Sequence, residues 1–410
     1  MLKRLLLLIL CVPSLAYAQT EVELGIKSTF AARIPLWMEP MRYNDAASKA
    51  ISQRLDRLVQ ADLEFSGLFT IKRGRPVPGT VGNGSLEVVV RGAVVNDDGK
   101  NTFEGTVIDA ASGHMIGGKR YRVDDGSTRR IAHHFADEIV LMLTGERGIA
   151  STRIAYVRKE GDSWELMMSD YDGYAPTPLL RLNRPIVNPR WILGRDALAY
   201  TGYLKGKPDL YIRYLDEPSS KPIAAYPGLN YSIDWSDRAK ELLVTLSKDG
   251  NPEIYIMTRT GEIRRRLTHD RAIDCSPGWS PNGREFVFTS DRSGSPQLYI
   301  MESGGSNLRR LTYQGNYNSS SSWSPKGDWI AFVSRINGIF QICVIRPDGT
   351  EFRALTDEPW NHDTPRWAAN GRHIVYAEDR GAESNISVID ISTLGKRILS
   401  QGKNPDWSTR

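Results

Sequence analysis

The sequence predicts an α+β amino-terminal domain followed by an all-β six-bladed β-propeller. Tryptophans recur every 44 residues through the later part of the chain, the same apolar segments recur around each of them, and neither pattern occurs before residue 147. A fixed period of this size is typical of a repeat architecture. A chain of 410 residues is also long enough to form two domains.

Residues 1–18 have the order of a secretory signal peptide. Lys3 and Arg4 precede an apolar run from Leu5 to Leu10, and Ala16-Tyr17-Ala18 supplies the small residues of a cleavage site. The apolar run is far shorter than the ~20 residues that a membrane crossing needs. We therefore expect cleavage after Ala18 and a soluble protein in the periplasm.

Residues 19–146 are predicted to form the α+β domain. Apolar residues at helical spacing predict helices around Ala47–Leu63 and Ile131–Met142. The strand candidates are Ile34–Met38, Phe69–Lys72, Glu87–Val95, Thr102–Asp109 and Lys119–Val123. Two helices packed on a mixed sheet follow from this order. His133 and His134 are adjacent on the second helix, so we expect exposed or capping histidines rather than a metal pair.

Residues 147–410 are predicted to form the propeller. The periodic tryptophans are Trp191, Trp235, Trp279, Trp323 and Trp367, and Trp407 follows after 40 residues. In each repeat an apolar residue lies seven positions after the tryptophan, a second apolar segment at positions 19 to 21, and a short segment, often Leu-Thr, at position 32. Four short strands in a unit of ~40–50 residues are typical of a propeller blade. We expect the tryptophans to pack between blades.

The first blade is predicted to be completed by the end of the chain. Arg147 stands where the period would place a tryptophan, but Ile154–Val157, Leu166–Met168 and Leu179 match the later strands of the repeat. The segment Asn404–Trp407 has no blade of its own. Its pairing beside Ile154–Val157 would remove an open sheet edge and close a ring of six blades.

Charge and motifs argue against several functions. Removal of Lys3 and Arg4 lowers the formal charge from +5 to +3, which does not indicate nucleic-acid binding. The run Gly113–Lys119 has phosphate-loop spacing, but Arg120 replaces the Ser/Thr and the run lies between two strands, so we expect a hairpin turn. We expect no catalytic residue, no metal and no cofactor. Cys275 and Cys343 occupy different repeat positions, so a disulfide is not expected.

Four segments resemble a known family. They are Ala61–Phe69, Thr152–Val157, Ser169–Tyr174 and the repeated Trp-Ser-Pro-x-Gly at Trp279 and Trp323. With these segments, the chain resembles the TolB family of the Tol-Pal envelope system over its mature length.

The resemblance implies a protein-binding scaffold rather than an enzyme. Members of the family bind the Pal-type lipoprotein at the propeller mouth and TolA, an inner-membrane protein, through an amino-terminal segment. Such a role supports outer-membrane integrity, cell division and protein import. We accordingly expect peripheral association with the outer membrane through partners, and a monomer, because a closed propeller needs no second copy to complete its core.

The resemblance also suggests where the partners bind. We expect each innermost strand to begin near its tryptophan, so the residues just before it line the mouth, where variable loops on a rigid frame suit recognition. The predicted mouth residues are Leu229, Asn230, Ser232, Asp274, Cys275, Ser276, Asn318, Ser319, His362 and Asp363. The predicted contacts of the amino-terminal segment are Glu21, Val22, Leu24, Ile26, Lys27, Phe30 and Arg33.

Two other functions remain open at this point. One is a periplasmic propeller enzyme, a lyase or hydrolase that uses channel residues such as His362, Asp363 and Asp274. The other is a sensor that binds a small ligand in the central channel.

Overall fold

The sheets confirm the predicted order of an α+β region followed by a propeller. The computed structural model describes residues 33–76, 87–192, 197–381 and 383–409. The predicted signal peptide, the amino-terminal segment before Arg33 and most of the loop after Arg75 therefore lie outside the described residues. Neither helix in the described ranges has the length and hydropathy that crossing a bilayer requires.

The amino-terminal region contains one sheet and two helices. Its elements are β1 Ile34–Met38, β2 Arg42–Tyr43, α1 Ala46–Phe65, β3 Phe69–Arg73, β4 Val88–Asp97, β5 Lys100–Asp109, β6 Met115–Arg122 and α2 Thr128–Thr144. The strand order is β3-β1-β4-β5-β6, with β2 beside β4. Strand β1 runs parallel to both neighbours, whereas β4, β5 and β6 are antiparallel, so the sheet is mixed as predicted.

A capping interaction fixes the start of α1, and a glycine ends α2. Asp45 caps α1 by accepting a hydrogen bond from the Ser48 amide at 2.8 Å, and the Ser48 side chain returns a bond to the cap. Helix α2 ends at Gly145, whose φ of 72° is the left-handed conformation that glycine adopts without a steric cost. The two apolar faces pack on the same side of the sheet, where a Cβ on Gly105 would lie 2.3 Å from the Phe135 ring.

Six four-stranded sheets follow, and we number them as blades 1 to 6. Three strands of blade 1 are β7 Arg153–Glu160, β8 Ser163–Asp170 and β9 Thr177–Leu182. Blade 2 contains β10 Ile186–Ile192, β11 Ala197–Gly202, β12 Asp209–Tyr214 and β13 Ser220–Ala224. Blade 3 contains β14 Asn230–Ser236, β15 Glu241–Leu246, β16 Glu253–Met257 and β17 Ile263–Arg266.

The remaining blades repeat this antiparallel order. Blade 4 contains β18 Asp274–Trp279, β19 Glu285–Ser290, β20 Gln297–Glu302 and β21 Arg309–Arg310. Blade 5 contains β22 Asn318–Trp323, β23 Ile330–Ile336, β24 Ile339–Ile345 and β25 Arg353–Ala354. Blade 6 contains β26 Asn361–Trp367, β27 His373–Asp379, β28 Ser384–Asp390 and β29 Lys396–Gln401, and the last strand is β30 Lys403–Trp407.

The last strand closes the ring as predicted. Strand β30 pairs with β7 as the innermost strand of blade 1, with Trp407 opposite Ile154 and Asp406 opposite Ala155. It also lies beside β10 of blade 2 and β26 of blade 6. Blade 1 therefore has four strands like the other blades, and the six innermost strands form a closed ring.

The short Leu-Thr segments of the repeat follow the fourth strands of their blades instead of forming part of them. In blades 3, 4 and 5 the fourth strand ends just before this pair. The hydroxyl groups of Thr268, Thr312 and Thr356 instead each accept a bond of 2.9 Å from a backbone amide of the third strand in the same blade. The pair is thus a side-chain cap that continues the edge of the blade.

The α+β region packs against the propeller at the end of the innermost strands that carries the tryptophans, which we call the Trp end. Its central contact is the buried Asp62 carboxylate of α1, which binds the Tyr171 hydroxyl and the His133 imidazole, each at 2.7 Å. Nearby, Arg129 pairs with Asp170 and Asp172 at 2.6 Å. The expectation of an exposed or capping His133 was wrong, because this network buries the ring to 5% exposure.

The tryptophans provide a graded test of packing between blades. Trp279 is 5% exposed and contacts Phe286, whereas Trp235 is only half-buried. We expect Trp279→Ala to lower the free energy of unfolding by about 3–5 kcal/mol and Trp235→Ala to lower it by less, because less buried surface is lost. Urea denaturation measures both. Equal losses for the two variants would contradict the placement.

Candidate functional site

The central channel opens at the end where the six innermost strands begin, which we call the mouth. The innermost strands start five or six residues before their tryptophans in blades 3 to 6, not at the tryptophans as predicted. The predicted mouth residues therefore belong to rigid strands rather than to loops ahead of them, except Leu229. The α+β region packs at the Trp end, so the described residues leave the mouth uncovered.

Four of the predicted residues are buried polar groups, and Asn230, Asn318 and His362 bond to the preceding blade. Asn230, Asp274, Asn318 and His362 all lie five positions before a tryptophan, and each is 0% exposed. The Asn318 amide donates to the Gln297 side chain of the preceding blade at 2.9 Å, and the Asp274 carboxylate pairs with Arg292 at 2.7 Å. Substituting these residues would therefore disturb the fold rather than a binding surface.

The third strands carry a second repeat of buried polar residues, which was not predicted from the sequence. In every blade, one of the first three residues of the third strand is polar and buried: Glu165, Asp209, Glu253, Gln297, Gln341 and Asn385. Glu165 binds Arg158 and Arg181, and Glu253 binds Arg266. The signal was present, because a polar residue recurs eighteen positions after the tryptophan, directly before the apolar segment that was recognised.

Ser232 and Ser276 belong to a ring of backbone irregularities around the channel. All six innermost strands have a register shift at this level, and the residue three positions before the tryptophan has a φ near +50°. The six are Asn188, Ser232, Ser276, Ser320, Thr364 and Asn404. Non-glycine residues rarely adopt this conformation, and bulges of this kind redirect side chains. We call this set the bulge ring.

Ser319 and Asp363 line a cavity of about 300 Å³ at the mouth. Tyr317, Phe340 and the edge of His362 also line it, and the Tyr317 and Phe340 rings meet edge to face at 5.2 Å. Burial lowers the pKa of His362 below its ordinary value, which favours the neutral imidazole. Cys275 is partly buried, and burial raises the pKa of its thiol to about 11, which makes it a poor nucleophile.

Exposed apolar side chains form an arc on the mouth from blade 2 to blade 5. Ile273 is 49% exposed, Tyr313 is 74% exposed and Leu204 is 39% exposed. Leu229 and Tyr317 lie between them and are partly buried. We call these five residues the apolar arc. Leu229, Ile273 and Tyr317 each open one of the segments that the sequence places before an innermost strand, whereas Leu204 and Tyr313 lie in turns whose composition differs from blade to blade and were missed.

The Trp end of the channel is charged instead. The residues directly before the tryptophans include Arg366, Asp406, Arg190 and Asp234, in that order around the ring, and they line a cavity of about 250 Å³. The Asp406 carboxylate accepts a bond from the Trp191 amide of the next blade, and Asp234 accepts one from the Trp279 amide, both at 2.7 Å. Burial raises the pKa of Asp406 to about 6 and that of Asp234 to about 7.

Of the residues considered for an enzyme, His362 and Asp363 line the mouth cavity together, whereas Asp274 lies apart from them. Asp274 is paired with Arg292 in blade 4, whereas His362 contacts Glu358 and the Phe340 carbonyl near blade 6. Among the described residues, no group of three or more His, Cys, Asp or Glu side chains is arranged to hold a metal ion. The mouth offers apolar and hydrogen-bonding surface to a partner.

Most of the predicted amino-terminal contacts lie outside the described residues: Glu21, Val22, Leu24, Ile26, Lys27 and Phe30. Arg33 is the first described residue and is exposed directly before β1. It lines a cavity of about 180 Å³ together with Phe65 and His373.

Comparison with known proteins gives one consistent result. Residues 140–410 match the family model described as the TolB beta propeller domain. The Tol-Pal system protein TolB of Desulfosudis oleivorans is 32% identical over 289 residues, covering 65% of each chain. The protein TolB homolog of Chlorobium chlorochromatii is 30% identical over 281 residues, covering 64% of this chain and 63% of that protein.

A solved structure extends the similarity to the amino-terminal region. The crystal structure of TolB from Acinetobacter baumannii superposes with a TM-score of 0.78 at 27% identity, covering 92% of this chain and 96% of that one. The chain spans a little less than two thirds of the length of the two curated relatives described above.

The channel carboxylates predict how stability depends on pH. Because the folded pKa of Asp234 is about 7 against an ordinary 3.8, the folded chain retains a proton that the unfolded chain releases between these values. The stability from this proton is present below about pH 4 and is lost as the pH rises through about 7. Asp234→Asn removes the titration but keeps an oxygen for the Trp279 amide.

We therefore expect the unfolding free energy of D234N to decline less than that of the parent protein from about pH 4 to about pH 8. Urea denaturation across this range measures the difference. Parallel curves for the two proteins would show that Asp234 ionises normally.

Proposed function

Because the chain belongs to the TolB β-propeller family, we propose that it is a periplasmic protein-binding scaffold of the Tol-Pal system. Its mouth binds a Pal-type lipoprotein, and its amino-terminal segment binds TolA. In this role it supports outer-membrane integrity and cell division without catalysing a reaction.

The apolar arc is the observation that carries the proposal. Large apolar side chains such as Ile273 and Tyr313 are exposed in turns on the same rim, and several exposed apolar side chains at one end of a soluble protein favour an interaction site there. Aromatic residues at the centre of an interface supply much of its binding energy. The arc is therefore suited to a macromolecule that covers the mouth.

The frame behind the arc favours tight binding because it is rigid before the partner arrives. The bulge ring fixes the innermost strands, and buried pairs such as Asn318 with Gln297 join adjacent blades. A surface that does not reorganise avoids part of the entropic cost of association. The exposed Asp363 and the hydroxyl of Ser319 add polar contacts beside the apolar rim.

Export to the periplasm follows from the predicted signal peptide, and TolA binding is assigned to Glu21–Arg33 from the family resemblance. Arg33 leads directly into β1, which is held between two parallel strands in the sheet. A partner bound to the amino-terminal segment would thus be connected to the folded region through a firmly paired strand.

We expect Ile273→Asp to weaken binding of a soluble Pal-type lipoprotein from the same organism at least about tenfold, because a charge would be buried in the interface. Isothermal titration calorimetry measures the affinity. The matched control is Met115→Asp, which changes a 68% exposed apolar side chain on the α+β region and should leave the affinity unchanged. Equal affinities of I273D and the parent protein would sink the assignment of the mouth.

A further inference from the structure

The junction between blades 6 and 1 lacks the buried polar residue that blades 3 to 6 carry near the start of the innermost strand. Gly402 lies five residues before Trp407, where blades 3 to 6 have Asn230, Asp274, Asn318 and His362. A side chain cannot be accommodated here, because a Cβ on Gly402 would lie 2.6 Å from the Tyr156 ring and 2.9 Å from the Val157 carbonyl. Because this position directly before β30 carries no side chain, the space beside Gly402 stays open.

That space is a cavity of about 490 Å³, larger than the mouth cavity of about 300 Å³. We call it the seam groove, and its lining includes Lys159, Trp164, Glu383, Ser384, Gln401 and Lys403. Ser384 and Lys403 also line the mouth cavity. The two spaces are thus neighbours that share a wall, and together they run from the channel toward the rim of blade 1.

The lining has the chemistry of a polypeptide-binding surface. Trp164 is only partly buried, and the Lys159 ammonium lies 5.7 Å from its ring centre. Within the described part of the chain, neither Lys159 nor Glu383 has an ion-pair partner, and the side chains of Ser384 and Gln401 make no hydrogen bond. An aromatic platform, one free charge of each sign and neutral hydrogen-bonding groups match the main chain and mixed side chains of a peptide.

We propose that the seam groove holds an extended segment of the same protein partner that covers the mouth. This inference rests on the proposed function, and it adds a second contact region on blades 6 and 1, away from the apolar arc of blades 2 to 5. An extended segment fits better than a folded surface, because the groove continues the mouth cavity between blades 6 and 1, with Ser384 and Lys403 in the shared wall.

Site-specific photocrosslinking tests this inference. A photoreactive amino acid is placed singly at Lys159, at Glu383, at Ile273 on the apolar arc, and at Lys240, a 68% exposed control side chain at the Trp end. Each protein is irradiated with the soluble Pal-type lipoprotein, and crosslinked peptides are identified by mass spectrometry. We expect Lys159 and Glu383 to capture one short contiguous stretch of the partner, Ile273 to capture another part of it, and Lys240 to capture nothing.

The outcomes separate the two proposals. Crosslinks from Ile273 alone would overturn the seam groove and leave the mouth assignment standing, whereas no crosslink from any of the first three positions would overturn both. Capture from Lys159 and Glu383 of residues scattered over the folded surface of the partner would overturn the extended segment. As a second measurement, Trp164→Ala should weaken affinity at least about fivefold with an unchanged circular dichroism spectrum, and an unchanged affinity would count against the groove.

Discussion

The propeller depends on contact between neighbouring innermost strands, because a four-stranded blade covers its two faces only by packing against the next blade. Buried tryptophans fill much of the space between blades, and the Asp406 and Asp234 carboxylates tie each of their strands to the next by binding a tryptophan amide. At the other end, buried pairs such as Asn318 with Gln297 serve the same purpose. Both ends of the ring are thus fixed by polar bonds in a region from which water is excluded.

The two ends of the propeller differ in structure as a result. The Trp end receives the α+β region, and the Asp62 carboxylate joins two segments that carried the family resemblance, Ala61–Phe69 and Ser169–Tyr174. No other part of the described chain covers the turns of the mouth, so apolar residues such as Ile273 and Tyr313 remain exposed there. The recognition role proposed for the mouth would therefore lie on the end where sequence changes do not affect the attachment of the first domain.

Periodicity alone predicted the number of blades, their strands and the closing role of Asn404–Trp407, because each strand packs with a repeated apolar pattern. It did not predict which mouth residues are accessible. Asn230 and His362 look like surface polar residues in the sequence, and only the positions of the adjacent blades show that they are buried. The bulge ring was also missed, since a φ near +50° at serine or threonine leaves no mark in composition. His133 was misjudged because its partner, Asp62, is 71 residues away.

Blade 1 is assembled from strands at the two extremes of the propeller sequence, and Trp407 binds the Thr152 side chain across 255 positions. Contacts this distant in sequence form slowly, whereas the hairpins of the other five blades are local. This difference therefore favours a folding order in which the five local blades form while β7 still has an unpaired edge. An open edge of this kind invites pairing with other chains. Aggregation is consequently favoured most in the interval before residues 403–407 pair with β7.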